Sequence, residues 1–383
     1  MFTEFRKGTM FSVFFALIMA LAACAPAATP TPIPTKAPAA APTAAPTKAP
    51  EAAKPPAPTS TLAPAASPTP RPATLKFGTP QVIADAGVYI AIEKGYFKEQ
   101  GITMEVVNFR TVAELIAPLG TGQLDVAALP LGVPLLAAAD RGLEVKIVAG
   151  GGQHRQGWEY GWIVLRKDLS DSSQVKTPAD LKGMKVAIPS LGSLGEQTVQ
   201  TILERAGLKP SDAEMVVLPF AEQAAAFGNK GIAASFTVEP FIARGIQEGF
   251  SVKWIPLYEL FGGKLDGQLT VFGPALLKDQ ELARRWMTGY LKGVRDYLKA
   301  FEAKQGRDDV VNILVKYSTV KDPKLYDVME LPYLDPNGQM DRSSVDAQYK
   351  WFVEKGLYTG KKTLGDVIDL SHVDYAVQRL GRQ

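Results

Sequence analysis

Met184-Lys185-Val186-Ala187-Ile188-Pro189-Ser190-Leu191-Gly192-Ser193-Leu194-Gly195-Glu196 is the stretch that decides the fold. A short apolar strand stops at a proline, a glycine- and serine-containing loop follows, and Leu194 to Ala206 then reads as a helix closed by Gly207. A strand from Met215 to Leu218, a short helix over Ala221 to Phe227, the turn Gly228-Asn229-Lys230-Gly231 and a strand from Ile232 to Phe236 complete the unit. The same rhythm occurs once before. Strand Leu75-Lys76-Phe77-Gly78 leads through a loop to a helix near Gly87 to Gln100, then Gly101 and strand Thr103 to Val107. A short helix from Val112, the turn Gly120-Thr121-Gly122 and strand Asp125 to Leu129 close that first pass. Strands joined through helices predict parallel pairing with right-handed crossovers, so two such units predict two α/β lobes.

In each unit the first strand ends in a loop that feeds a helix N-terminus. Both lobes therefore aim backbone N–H groups from the carboxyl edge of a sheet, and a cleft between two such edges is a ligand site. The loops are Thr79-Pro80-Gln81-Val82-Ile83 and Pro189 to Gly195. Ser193 and Glu196 stand at capping-box spacing, so Ser190 and Ser193 read equally as cap or ligand group. The C-terminal third is mostly helical. Glu281 to Lys304 sets Leu282, Trp286, Tyr290, Val294, Tyr297 and Leu298 on one face, a core stripe, and further helices are expected over Asp308 to Lys316 and Ser343 to Gly356.

The 383 residues allow two lobes, and 46% hydrophobic with 21% charged residues is an ordinary globular balance. The 29 prolines are unevenly placed, with 15 of them between Pro26 and Pro72. Charge is uneven too. Of the formal net charge of +3, Glu4, Arg6 and Lys7 give +1, and Lys36, Lys48, Glu51, Lys54 and Arg71 give +3, which leaves −1 for the body. A nearly neutral body lacks the basic footprint of sequence-independent nucleic-acid binding, so no nucleic acid is expected as partner.

Arg6 and Lys7 precede an apolar run from Met10 to Leu21, too short for the roughly 20 residues of a bilayer span and suited to a secretory signal. Leu21-Ala22-Ala23-Cys24 looks like a bacterial lipobox, which implies cleavage before Cys24 and lipidation of its thiol. Residues 1–23 are thus expected to be a signal peptide. Residues 24–73 are expected to be a lipidated cysteine and a disordered Ala/Pro/Thr tether, too poor in apolar side chains to offset its ordering entropy. At roughly 3.1 Å per residue the tether reaches on the order of 150 Å. The expected location is exported, anchored to the bacterial membrane by lipid, facing the periplasm or outer surface.

Gly87-Val88-Tyr89-Ile90-Ala91-Ile92-Glu93-Lys94-Gly95-Tyr96-Phe97, continuing to Gly101, resembles a segment of the sulfonate, nitrate, taurine and thiamine-pyrimidine solute-binding proteins of ABC importers. Asp180-Leu181-Lys182-Gly183-Met184-Lys185-Val186-Ala187 is similar to the opening of their second lobe, and Val238-Glu239-Pro240-Phe241 to their Glu-Pro-aromatic segment. Asp335 to Gly356, ending in Phe-x-x-x-Gly-Leu, fits as well, so the likeness runs from Leu75 to Gln383. It implies an α/β fold of the type II periplasmic-binding kind, two lobes on a two-strand hinge with a helical C-terminal extension on the first lobe. Lobe I is expected over 74–162 and 270–383 and lobe II over 163–269, with crossings near Glu159 to Val164 and Gln268 to Phe272. It also implies a monomer that closes on a small-molecule solute and docks on an ABC permease with its ATPase, with no cofactor.

Carried over residue by residue, the resemblance assigns ligand contacts to Thr79, Pro80 and Gln81, to Pro130, Leu131 and Gly132, to Ser190, Gly192 and Ser193, and to Thr237 and Glu239. Glu239 reads equally as a hinge element. The segment Gly150 to Trp162 is read as an open loop in which Arg155 can clamp an anion and Trp158, Tyr160 and Trp162 offer stacking faces, with Arg155 or Trp158 expected at the ligand. Helix N-termini and Arg155 favour a sulfonate or carboxylate, while the tryptophans favour a planar ring. A passive surface lipoprotein and an enzyme on the same scaffold, a lyase or a pyrimidine synthase, are the alternatives. The synthase resemblance needs a cysteine-rich signature, and the only cysteine here is Cys24. Leu191-Gly192-Ser193-Leu194-Gly195 has leucine where a nucleophile elbow has glycine, the two histidines make no zinc cluster, and no P-loop occurs.

Overall fold

The computed structural model describes residues 71–383. The apolar run, Cys24 and the tether up to residue 70 lie outside the described residues. Before the first crossing come β1 (Ala73–Thr79), β2 (Ile102–Asn108), β3 (Val126–Leu129), β4 (Lys146–Gly150) and β5 (Gly152–Arg155). The middle of the chain holds β6 (Gly161–Arg166), β7 (Lys185–Ile188), β8 (Glu214–Val217), β9 (Ala234–Val238) and β10 (Ser251–Pro256). Then follow β11 (Lys264–Asp266), β12 (Leu269–Phe272) and β13 (Tyr333–Leu334).

These strands form two five-stranded sheets of matching order, β2-β1-β3-β12-β4 and β8-β7-β9-β6-β10. The parallel part is as the sequence predicts: β1 pairs with β2 and β3, Phe77 opposite Val126, and β7 pairs with β8 and β9, Val186 opposite Ala234. Each sheet also takes in one antiparallel strand at the same place, β12 beside β3 and β6 beside β9, which the sequence rhythm does not predict. Both are the strands delivered by a crossing. The carboxyl edges of the two sheets face the gap, so a strand arriving from the other lobe enters at that edge and runs back against its neighbours. A small third sheet, β11-β5-β13, covers the segment read as an open loop.

The first predicted helix is interrupted. Gly95, at φ 76°, separates Ala86–Glu93 from Tyr96–Glu99. The long C-terminal helix, Gln280–Phe301, buries Leu282, Trp286, Tyr290, Val294, Tyr297 and Leu298, the stripe read from the sequence. Trp286 packs on Phe97, Phe272 and Tyr290 with ring centroids 5.2–5.5 Å apart. This helix crosses Ala86–Glu93 so closely that a Cβ on Gly293 would lie 2.1 Å from the Gly87 carbonyl oxygen. Backbone cannot yield as a side-chain tip does, so the overpacking cost of roughly 1–3 kcal/mol exceeds the helix-propensity gain of about 1 kcal/mol. Gly293→Ala is expected to lower the melting temperature; a rise would show that the two helices separate freely.

Candidate ligand-binding cleft

Between the carboxyl edges of the two sheets lies a cavity of about 460 Å³, counting the part open to solvent. Its wall comes from three sources. The first sheet and its loops give Pro80, Val82, Val112, Ala128 and Pro130; the second gives Pro189, Ser193, Leu194, Gly195, Phe220, Phe236 and Val238. Tyr160, Gly267 and Gln268, at the two crossings, complete it. Only Ser193, Gln268 and Tyr160 bring polar side chains, and no lining residue is charged. An adjoining pocket holds Val112, Leu129, Gly132 and Leu135 against Ser190, Gly192 and Ser193.

The lobes touch across this gap. Val133 donates its N–H to the Gly192 carbonyl at 2.8 Å, and the φ of Gly192 is 63°. A Cβ on Gly132 would come within 2.8 Å of that same oxygen. At the rim Arg110 pairs with Glu222, and Lys355 with Glu204. These contacts tie elements of the first sheet to elements of the second, so the cleft is held nearly shut.

Of the residues read from the sequence, Pro80, Pro130 and Ser193 stand in the main wall and Gly132, Ser190 and Gly192 in the adjoining pocket. Ser193 is also the N-cap of helix Leu194–Arg205, and its hydroxyl donates to the Ser190 carbonyl at 2.7 Å. Glu196 departs from a capping box by reaching past Ser193 to accept the Gly192 N–H at 2.6 Å. Thr79 is fully buried and donates to Asp85, while Gln81 turns to the Tyr317 carbonyl at 2.9 Å. Leu131 is core. Thr237 is buried in β9, its hydroxyl without a partner among the described residues. Glu239 lines neither pocket: one carboxylate oxygen accepts the Ala243 N–H at 2.9 Å and the other has no hydrogen-bond partner among the described residues, while its carbonyl accepts the Ile83 N–H at 3.2 Å and its N–H donates to the Tyr160 carbonyl.

Arg155 and Trp158 are not brought to either pocket. Because β5 is strand and not open loop, the Arg155 guanidinium lies over the Tyr333 ring, 3.3 Å from its centroid, and donates to Gln153. Trp158 packs on Tyr297 and Tyr333. From the same segment it is Tyr160 that reaches the wall, stacked at 4.2 Å on His154, which in turn bonds Glu159. The wall residues missing from the sequence reading, Phe220, Phe236 and Gln268 above all, carry no local motif. The sequence pattern ends the strand at Phe236, whereas β9 runs two residues further to Val238.

Beneath the crossings lie three buried acids. Burial raises Asp85, Glu239 and Asp266 to about 7 each, against the pull of their hydrogen bonds. Asp85 accepts from Thr79, Tyr89 and, at 3.0 Å, Gln268; Asp266 accepts from Gln153 at 3.0 Å and from the Asp341 N–H at 2.7 Å. Each joins a crossing segment to a neighbouring loop or helix.

A family model described as NMT1/THI5 like matches residues 83–302, more than half of the chain, and the chain belongs to that family. It is 28% identical over 153 residues to "Putative binding protein BAB2_1146" of Brucella abortus (strain 2308), an alignment covering 40% of this chain and 44% of that protein. The chain thus spans less than half the length of the curated relatives it matches. Among solved structures it superposes on the periplasmic nitrate-binding protein NrtA from Synechocystis PCC 6803 with TM-score 0.68 at 16% identity, covering 82% of this chain and 90% of that one. On the alkanesulfonate-binding protein SsuA from Xanthomonas axonopodis pv. citri the TM-score is 0.63 at 17% identity, covering 78% and 99%. The fold is therefore that of the periplasmic binding proteins, as the sequence resemblance implies. No helix among the described residues is long and apolar enough to cross a membrane.

The three buried acids set a pH dependence. Between about pH 4 and 7 each is protonated in the folded chain and ionised in the unfolded one, so its contribution is complete below pH 4 and is lost as pH rises through 7. The full chain is expected to melt higher near pH 5.5 than near pH 8, with a smaller difference in Asp266→Asn. A melting temperature that climbs from pH 5.5 to 8 would contradict the assignment.

Proposed function

We propose that this family member is the solute-binding component of an ABC importer, holding a small organic solute between its lobes and handing it to a membrane permease driven by an ATPase. The observation that carries the reading is one apolar cavity walled by the carboxyl edges of two like sheets and floored by both crossings. A solute there touches both lobes and the hinge at once, so it binds the closed arrangement more tightly than an open one, which is the thermodynamic requirement for ligand-driven closure. We place the lobes at 74–162 with 270–383 and at 163–269, and the contacts at Pro80, Gly132, Ser190, Gly192 and Ser193, joined by Tyr160, Phe220, Phe236 and Gln268. Thr79, Thr237 and Glu239 support that wall from behind. The polar side chains of the wall form no nucleophile–base pair, which favours carriage over catalysis. On this reading the chain works outside the cytoplasm as a monomer held to the membrane through lipidated Cys24.

Thermal unfolding of the full chain against a panel of sulfonates, taurine, nitrate, pyrimidines and aromatic amides tests the central point. One-to-one binding raises stability by RT ln(1 + [L]/Kd), and a melting temperature that no panel member moves at millimolar concentration would refute solute capture. Gly132→Val, whose side chain props the lobes apart at the Gly192 carbonyl, is expected to weaken the bound solute at least tenfold, about 1.4 kcal/mol, without unfolding the chain. For the anchor, Cys24→Ala is expected to move the protein from the membrane to the soluble fraction; retention in the membrane would count against lipidation.

A further inference from the structure

The wall of the main cavity offers acceptors and no positive charge. From this we infer, on the basis of the solute-binding reading above, that the solute is uncharged, with an apolar and preferably flat body and an N–H or O–H donor, and that simple anions are poor ligands.

Two of the three polar side chains of the wall have used their only donor within the protein, and Gln268 has used one of its two amide N–H groups. The Ser193 hydroxyl donates to Ser190 at 2.7 Å, the Tyr160 hydroxyl to Gly152 at 3.3 Å, and the Gln268 amide nitrogen to Asp85 at 3.0 Å. Gln268 is only 4% exposed, and its amide oxygen has no partner among the described residues. A buried acceptor in that state is completed by a donor on the guest, which nitrate and an ionised sulfonate or carboxylate do not possess.

The helix N-termini that open on the cleft are already supplied with negative charge. Glu114 lies in the first turn of Ala113–Gly120, Glu196 in that of Leu194–Arg205 and Glu222 in that of Phe220–Gly228. Glu196 is buried, and its two oxygens accept from Gly192 at 2.6 Å and Gln200 at 3.0 Å, where an anionic guest would need the positive end of the helix dipole. Helix Val133–Asp140 has no acid in its first turn, but its Val133 N–H is bonded to Gly192. The cations nearby are paired, Arg110 with Glu222 and Lys253 with Glu330 at 3.3 Å.

Matched pairs that share shape and differ in charge and donor test this on the full chain by titration calorimetry: benzamide against benzoate, and benzenesulfonamide against benzenesulfonate. The neutral member is expected to bind at least tenfold tighter in each pair. Glu196→Gln is expected to narrow that ratio at least threefold by strengthening the anion, and Gln268→Leu to weaken benzamide at least fivefold. Tighter binding of the anions overturns the assigned class and leaves solute capture standing, as does a ratio unmoved in Glu196→Gln together with a benzamide affinity unmoved in Gln268→Leu. Failure of all four compounds and of the wider solute panel to bind overturns solute capture and this inference with it.

Discussion

A strand that enters a sheet from another lobe must still satisfy every backbone N–H and C=O, and this demand governs the molecule. It sets β6 between β9 and β10 and β12 between β3 and β4, so that each crossing strand is locked on both sides. In the proposed two-lobe motion the bending falls to the short stretches just outside those ladders, Glu159-Tyr160 and Gly267-Gln268. Tyr160, Gly267 and Gln268 are also the part of the cavity wall that belongs to neither sheet. On the proposed reading hinge and cavity floor are the same residues, and that identity is what would couple occupancy to closure.

The buried acids follow from the same geometry. A carboxyl group taken out of water is costly unless its oxygens are matched, and those of Asp85 and Asp266 are matched from other segments, by Gln268 on Asp85 and by Gln153 and Asp341 on Asp266. Removing one partner leaves a buried acceptor open, a loss of about 1–3 kcal/mol. Apolar side chains of equal volume would stabilise the region without fixing the angle at which the chain leaves each sheet. Directional bonds to backbone and amide groups fix it, at the one place where the two halves must meet in register.

The two-lobe plan was legible because it rests on short-range signals that occur twice. Val186 to Ile188 and Leu75 to Gly78 run into loops and helices in the same order, and the C-terminal stripe of Trp286, Tyr290 and Tyr297 keeps helical spacing throughout. The antiparallel strands were not legible in the repeat itself, since β6 and β12 belong to no helix-linked pair and their partners lie 69 to 146 residues away in sequence. In the cleft the pattern is similar. Pro80, Gly132, Ser190 and Ser193 follow from their place at strand ends, whereas Arg155 was drawn to the site by its chemistry alone. A long-range pairing in the third sheet, which sets Tyr333 opposite Gln153, turns it onto Tyr333. Phe220 and Phe236 could be assigned to the wall only once the second sheet had a register.

A shared fold therefore specifies where a guest sits more firmly than what it is. Helix starts at strand ends converge on one point whatever the side chains, and such convergence by itself favours an anion. The residues two or three places into each helix can reverse that preference without moving the backbone. Glu196 does so here: it occupies the first turn, bonds the preceding loop, and adds a full negative charge where the helix supplies about half a positive one. With Glu114 and Glu222 placed likewise, and Arg110 already paired, the inherited cradle keeps its shape and loses its appetite for charge. Selectivity in such a site is set by the first helical turns and by the amide of Gln268, neither of which the strand-and-helix rhythm constrains.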